Sequence, residues 1–117
     1  MRSLITGAGG FAGSHLADYL ARQPETAAEA WGCDINAARR SYHPPTLQLV
    51  AADLCDPEAT HALIEQIRPE RIYHLAGQAF VGDSWANPWG TYEGNQRAQL
   101  NLLEAVRALC PEARILI

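Results

Sequence analysis

The stretch from Ile5 to Gly13, ITGAGGFAG, constrains this chain more than any other, because four of its nine residues are glycine and it stands between a strand pattern and a helix pattern. Glycine loses more backbone freedom on folding than other residues, roughly 0.5–1 kcal/mol where regular structure forms. Such a density makes sense where the chain turns sharply, or where something must come close to the main chain. Ser3-Leu4-Ile5-Thr6 ahead of the glycines is an apolar strand signal. Ala12, Leu16 and Leu20 behind them recur at helical spacing until Gln23-Pro24 stops the run.

The same alternation continues along the chain. Ala30-Trp31-Gly32-Cys33 reads as a second strand ending in Asp34, residues 35–46 as a loop punctuated by Pro44-Pro45, and Leu47–Ala51 as a third strand. Asp56-Pro57 has the form of an N-cap followed by proline at the first helical position, and Leu63, Ile64 and Ile67 line one face of the helix up to Arg68-Pro69. Arg71–Leu75 is a fourth strand. Asn87-Pro88 opens a long helix carrying Leu102, Leu103, Val106 and Leu109, and Arg114–Ile117 is a fifth strand. Strands and helices that alternate without a hairpin signal predict βαβ units and a parallel sheet. The expected fold is therefore α/β, a Rossmann-type doubly wound parallel sheet in one domain over residues 1–117, truncated after the fifth strand.

A chain of 117 residues with 48% hydrophobic and 19% charged residues suits one soluble domain with a modest core. Its net charge of −4 argues against nucleic acid or an anionic membrane as partner, and no apolar run approaches the roughly 20 residues of a membrane span. Met1–Leu4 runs straight into the first strand, which leaves no room for a leader peptide. Cys33, Cys55 and Cys110 are odd in number and widely spaced, so reduced thiols in a cytoplasmic protein are expected.

A glycine turn between the first strand and its helix brings helix N-terminal amides and the positive end of the helix dipole onto a small volume, an anion site. Gly7 would make the tight turn, Gly9 or Gly10 would let a pyrophosphate reach the main chain, and Gly13 would let the helix pack on the sheet. Asp34 ends the second strand 21 residues after Gly13, where a carboxylate can accept from a ribose diol. The order of strand, glycines, helix, strand and acid points to a dinucleotide. Asp34 would repel a 2′-phosphate, which favours NAD, while Arg39 and Arg40 after the second strand keep NADP possible.

With those features in place the sequence resembles the extended short-chain dehydrogenase/reductase family of nucleotide-sugar-modifying enzymes. Thr6-Gly7-Ala8-Gly9-Gly10-Phe11-Ala12-Gly13 matches that family's Thr-Gly-x-x-Gly-x-x-Gly, and His74-Leu75-Ala76-Gly77 matches its His-Leu-Ala-Ala/Gly. Asp53-Leu54 matches its pair after the third strand, and Asn95 with Leu102-Leu103-Glu104-Ala105 matches its long helix. The stretch GQAFVGDSWANPW resembles the branch acting on GDP-mannose derivatives, while Arg97-Ala98-Gln99 departs from the family's small Gly-Thr turn. The resemblance implies cofactor contacts at Gly7, Gly10, Phe11, Ala12 and Gly13, at Asp53 and Leu54, at Leu75, Ala76 and Gly77, and at Asn95. It implies a sugar or phosphate contact at Ser84, with helix capping the alternative. It also implies a homodimer through the helix of about residues 88–109. The family's catalytic Ser/Thr and Tyr-x-x-x-Lys follow the fifth strand, so no catalytic residue is assigned within the chain.

The other polar and aromatic residues read more plainly. His74 ends a buried strand and is expected to be structural. His15, His43 and His61 lack partners at metal spacing, so no metal site is assigned. Trp85 and Trp89 are read as packing residues rather than sugar platforms. The leading expectation is the cofactor-binding part of an NAD(P)-dependent nucleotide-sugar dehydratase, epimerase or reductase. The second is a non-catalytic dinucleotide module on the same fold, a redox sensor or assembly factor.

Overall fold

A computed structural model describes residues 1–38, 42–77 and 81–117. Arg39 and Arg40 lie outside the described residues. The strands are β1 (Ser3–Thr6), β2 (Ala30–Asp34), β3 (Gln48–Ala51), β4 (Arg71–His74) and β5 (Arg114–Leu116). The helices are α1 (Phe11–Ala21), α2 (Pro57–Ile67), α3 (Val81–Ala86) and α4 (Pro88–Leu109), and a 3₁₀ turn at Ala27–Glu29 precedes β2. Every strand pair is parallel, and the sheet order is β3-β2-β1-β4-β5. The α/β, Rossmann-type expectation holds.

The central strand explains the two-layered core. All four residues of β1 are buried, as a strand covered on both faces requires. Successive side chains point to opposite faces. Leu4 joins Ile72 and the apolar stripes of α2 and α4, namely Leu63, Ile64, Ile67, Leu102 and Val106. Ile5 joins Ala17 and Leu20 of α1, together with Leu47 from the loop before β3. Ser3 is fully buried beside this core and its Oγ has no hydrogen-bond partner.

Three helix starts are built differently, and the difference positions the site. At α2 the Asp56 carboxylate accepts from the amides of Glu58 (2.9 Å) and Ala59 (3.3 Å), an N-cap of the kind that contributes about 1 kcal/mol. At α4 the Asn87 side-chain oxygen accepts from the Gly90 amide at 3.0 Å. At α1 the N-cap position is Gly10, and no side chain caps the helix.

Two expectations are corrected here. The sequence marks no helix between Leu75 and Asn87-Pro88, yet Val81–Ala86 form α3: Asp83 sits in the first turn, the Asn87 amide donates to the Asp83 carbonyl at 2.8 Å, and Pro88 then starts a new helix. Trp85 and Trp89, read as packing residues, are 84% and 73% exposed, and among the described residues Trp89's ring contact is with Tyr92. Among the described residues no helix is long and apolar enough to cross a membrane.

Candidate functional site

The strand order places the reversal of winding between β1 and β4, the position at which open α/β sheets leave a crevice at the carboxyl ends of their strands. A cleft of about 420 Å³ opens there, walled on one side by Gly7 and Gly10 and on the other by Leu75 and Ala76. Asp34, the last residue of β2, and Asp53, two residues past the end of β3, line the same cleft.

The glycine turn is wired almost completely from within. The Ala8 amide donates to the Cys33 carbonyl (3.1 Å), the Gly10 amide to the Gly7 carbonyl (3.0 Å), and the Gly9 amide to Oδ2 of Asp34 (2.9 Å). Gly7 has φ +70°, and a Cβ there would lie 2.8 Å from the Ala76 amide nitrogen, so the turn needs glycine for its conformation and for its space. A Cβ at Gly13 would collide with the Gly7 carbonyl oxygen and stand 2.9 Å from Ala8 Cα, so α1 packs directly on the turn. Gly10 is different. Its backbone is extended, and a Cβ would meet only the Gly7 oxygen, at 3.3 Å. Among the described residues the amides of Phe11 and Ala12 have no acceptor. They are the unmet donors of a helix start, at its positive end.

The opposite wall hangs on one hydroxyl. Thr6 Oγ1 accepts from the amides of Leu75 and Ala76, each at 3.1 Å, and lies 2.8 Å from His74 Nδ1. With both lone pairs used, the hydroxyl donates its own proton to Nδ1, which assigns a neutral imidazole protonated on Nε2. Burial lowers the His74 pKa below its ordinary value, in agreement with that tautomer. His74 is thus a structural acceptor, as its place at a strand end predicts.

Most of the predicted residues converge. Besides those named, Leu54, Gly77 and Asn95 also line the cleft. Asp53 Oδ1 accepts from the Cys55 amide at 2.9 Å, and Leu54 is buried in the α2–α4 core. Phe11 (84% exposed), Ala12 and Gly13 are not among the residues that line the cleft; they form the first turn of α1, directly after Gly10, which does line it. Ser84 does not line the cleft; its hydroxyl donates to the Val81 carbonyl within α3 at 2.7 Å, so it caps no helix start. Sequence reasoning missed Cys33, Ile35, Ala52, Cys55, Gly94 and Ala98 of the lining; the first five adjoin a predicted residue, and Ala98 lies one helical turn after Asn95 on α4. Cys33 and Cys55 are free thiols; burial pushes Cys33 up to about 12 and raises Cys55 as well, so neither is an activated nucleophile. Among the described residues no three His, Cys, Asp or Glu side chains gather as metal ligands.

Comparison with known proteins agrees with this geometry. The chain is 31% identical over 110 residues to a GDP-6-deoxy-D-mannose reductase of Pseudomonas aeruginosa, covering 92% of this chain and 30% of that protein. It is 33% identical over 111 residues to a CDP-paratose 2-epimerase of Salmonella typhi, covering 92% and 33%. The chain spans about a third of the length of the curated relatives it matches. A solved UDP-glucose 4-epimerase of Thermus thermophilus in complex with NAD superposes with a TM-score of 0.80 at 34% identity, over 93% of this chain and 34% of that one. An L-threonine dehydrogenase of Cupriavidus necator superposes with a TM-score of 0.85 at 24% identity, over 98% of this chain and 35% of that one, a likeness of fold alone. The sequence profile of the GDP-mannose 4,6 dehydratase family matches residues 4–117, nearly the whole chain, and to that family the chain belongs.

Proposed function

We propose that residues 1–117 form the dinucleotide-binding part of an NAD-dependent nucleotide-sugar dehydratase, epimerase or reductase acting on a GDP-mannose-type sugar. The observation that carries this reading is the uncapped start of α1, whose N-cap residue Gly10 lines the cleft and whose Phe11 and Ala12 amides are unmet. A pyrophosphate there would accept both amides and gain from the helix dipole, typically 0.3–1 kcal/mol. Asp34 would accept an adenosine ribose hydroxyl and disfavour a 2′-phosphate, and Asp53 and Leu54 would flank the adenine. Leu75, Ala76, Gly77 and Asn95 would face the nicotinamide half. The NAD complex of the Thermus thermophilus epimerase and the GDP-sugar reductase among the relatives support this choice of ligands. Ser84 would reach the sugar nucleotide by turning its hydroxyl away from Val81.

Bound NAD would supply hydride acceptance and return. The chain's own residues would bind and orient it. The 117 residues contain no lysine, so a tyrosine–lysine proton-transfer pair is proposed to come from outside them. A homodimer is proposed through the outer face of α4, where Tyr92 and Leu100 are exposed, and a cytoplasmic location fits three free thiols. Calorimetric titration of the protein with NAD tests the reading: saturable binding with preference over NADP is expected, and absence of binding would overturn it. Sedimentation as a monomer at all concentrations would overturn the dimer.

A further inference from the structure

One peptide unit in the glycine turn is held from both ends. The N–H of the Ala8–Gly9 peptide donates to Asp34 Oδ2 at 2.9 Å, and its C=O lies 2.9 Å from His43 Nε2. A carbonyl only accepts, so His43 carries a proton on Nε2 and donates it. His43 is 6% exposed and Ala8 fully buried, so this bond is shielded from water. Tyr42, next to it, directs its hydroxyl at the Gly9 carbonyl at 3.4 Å. Asp34 and His43 are the two shoulders of the connection between β2 and β3, and they grip the same peptide plane from opposite sides.

Resting on the dinucleotide reading above, we propose that His43 is a positioning residue for the cofactor's adenosine ribose. By fixing the Ala8 carbonyl it fixes the plane of the following amide, and that amide sets the orientation of the Asp34 carboxylate. With Oδ2 taken by the Gly9 amide and Oδ1 met by the Asn36 amide at a long 3.4 Å, the remaining lone pairs of Asp34 are what a ribose diol would meet at the cleft. Without the His43 proton the buried Ala8 oxygen is left unpaired and the peptide is held at its N–H end alone. Its plane can then tilt and carry the Asp34 carboxylate, otherwise met only by the Asn36 amide, out of position. The turn would survive on its other bonds, from Ala8 to Cys33 and from Gly10 to Gly7. The loss therefore falls on the ribose contact, and with it on the discrimination between NAD and NADP.

The test compares His43→Phe, which fills the space without a donor, with His43→Gln, whose amide can donate to the same oxygen. His43→Leu, smaller than Phe and without a donor, serves as the donor-free variant if Phe does not fold. NAD and NADP affinities by calorimetry and the Gly9 amide resonance in a ¹⁵N spectrum are the readouts. The donor-free variant is expected to bind NAD about tenfold more weakly with NADP little changed, and to move the Gly9 resonance, while Gln restores both. Equal losses in the donor-free variant and Gln, or an unmoved Gly9 resonance with unchanged NAD preference, would overturn the role of His43. Wild-type protein that binds neither dinucleotide overturns the functional reading instead, and the Gly9 resonance still decides whether His43 sets the peptide.

Discussion

The two ends of the sheet each carry a cavity, and in the larger one two of the four arginines already serve the protein itself. At the amino ends of the strands a hollow of about 520 Å³ is lined by Arg2, Arg68, Arg71 and Arg114, with Glu70 and Glu112 among them. The carboxyl ends of α2 and α4 arrive there, and their last carbonyls are already met: Arg68 donates to the Leu109 oxygen at 2.6 Å and Arg2 to the Ile67 oxygen at 3.2 Å. Those guanidiniums answer helix carbonyls and the negative end of the dipole. At the opposite end the cleft is smaller, yet two amides of α1 are unanswered. Volume and arginine count point to one end, while unmet backbone donors point to the other. We take the donors as the better guide, because a pyrophosphate needs hydrogen-bond partners not yet in use.

The sharpest way to break this contrast lies within the glycines. Gly13→Ala places a methyl group against the Gly7 carbonyl and should destabilise the protein by about 3 kcal/mol or more, seen in denaturant unfolding. Gly10→Val brings its Cβ to 3.3 Å from the Gly7 carbonyl oxygen, a far milder contact than at Gly13, and should still fold while abolishing NAD binding in calorimetry. Unchanged NAD affinity in Gly10→Val would show that the cleft between β1 and β4 is not the site.

Asp34→Asn keeps an acceptor for the Gly9 amide and removes the charge, so it isolates electrostatics from turn geometry. The preference for NAD over NADP should fall about tenfold, measured as a ratio of dissociation constants. At the other end, Arg68→Ala should cost about 1 kcal/mol of stability through the freed Leu109 carbonyl and leave NAD affinity alone. A loss of NAD affinity in that variant would erase the distinction between the two ends.

The smallest effect concerns acid. Burial lowers the His74 pKa from its ordinary 6.5, so the unfolded chain takes up this proton more readily than the folded one. The stability from neutral His74 is full above about pH 6.5 and is lost as pH falls below that through the folded value. His74→Asn keeps an acceptor near Thr6 Oγ1 without titrating in this range and should flatten that part of a stability–pH profile.

What could be read beforehand follows the range of the forces involved. Gly7, Gly13, Pro57 and Pro88 mark turns and helix starts because their constraints are local, and β1 announces itself by four buried residues in a row. Asp34 was legible because a strand of fixed length must deliver its end to the same edge as the glycines. The contact of His43 with Ala8 spans 35 residues, and no periodicity encodes it. The α3 helix was missed because six residues are too few to show a period. Trp85 and Trp89 were misjudged because large aromatics are usually buried, whereas here both stand on the surface.

The bare start of α1 makes the lifetime of the molecule depend on what surrounds it. A ligand that fills that start binds the folded chain and not the unfolded one, so at a hundred times its dissociation constant it adds about 2.7 kcal/mol to the free energy of unfolding. The unfolded population then falls about a hundredfold, and proteases that act on opened chains find correspondingly fewer of them. A helix that carried its own cap, as α2 does with Asp56, would be insulated from such a supply. With the proposed dinucleotide as that ligand, the abundance of this protein in a cell is expected to follow the dinucleotide pool.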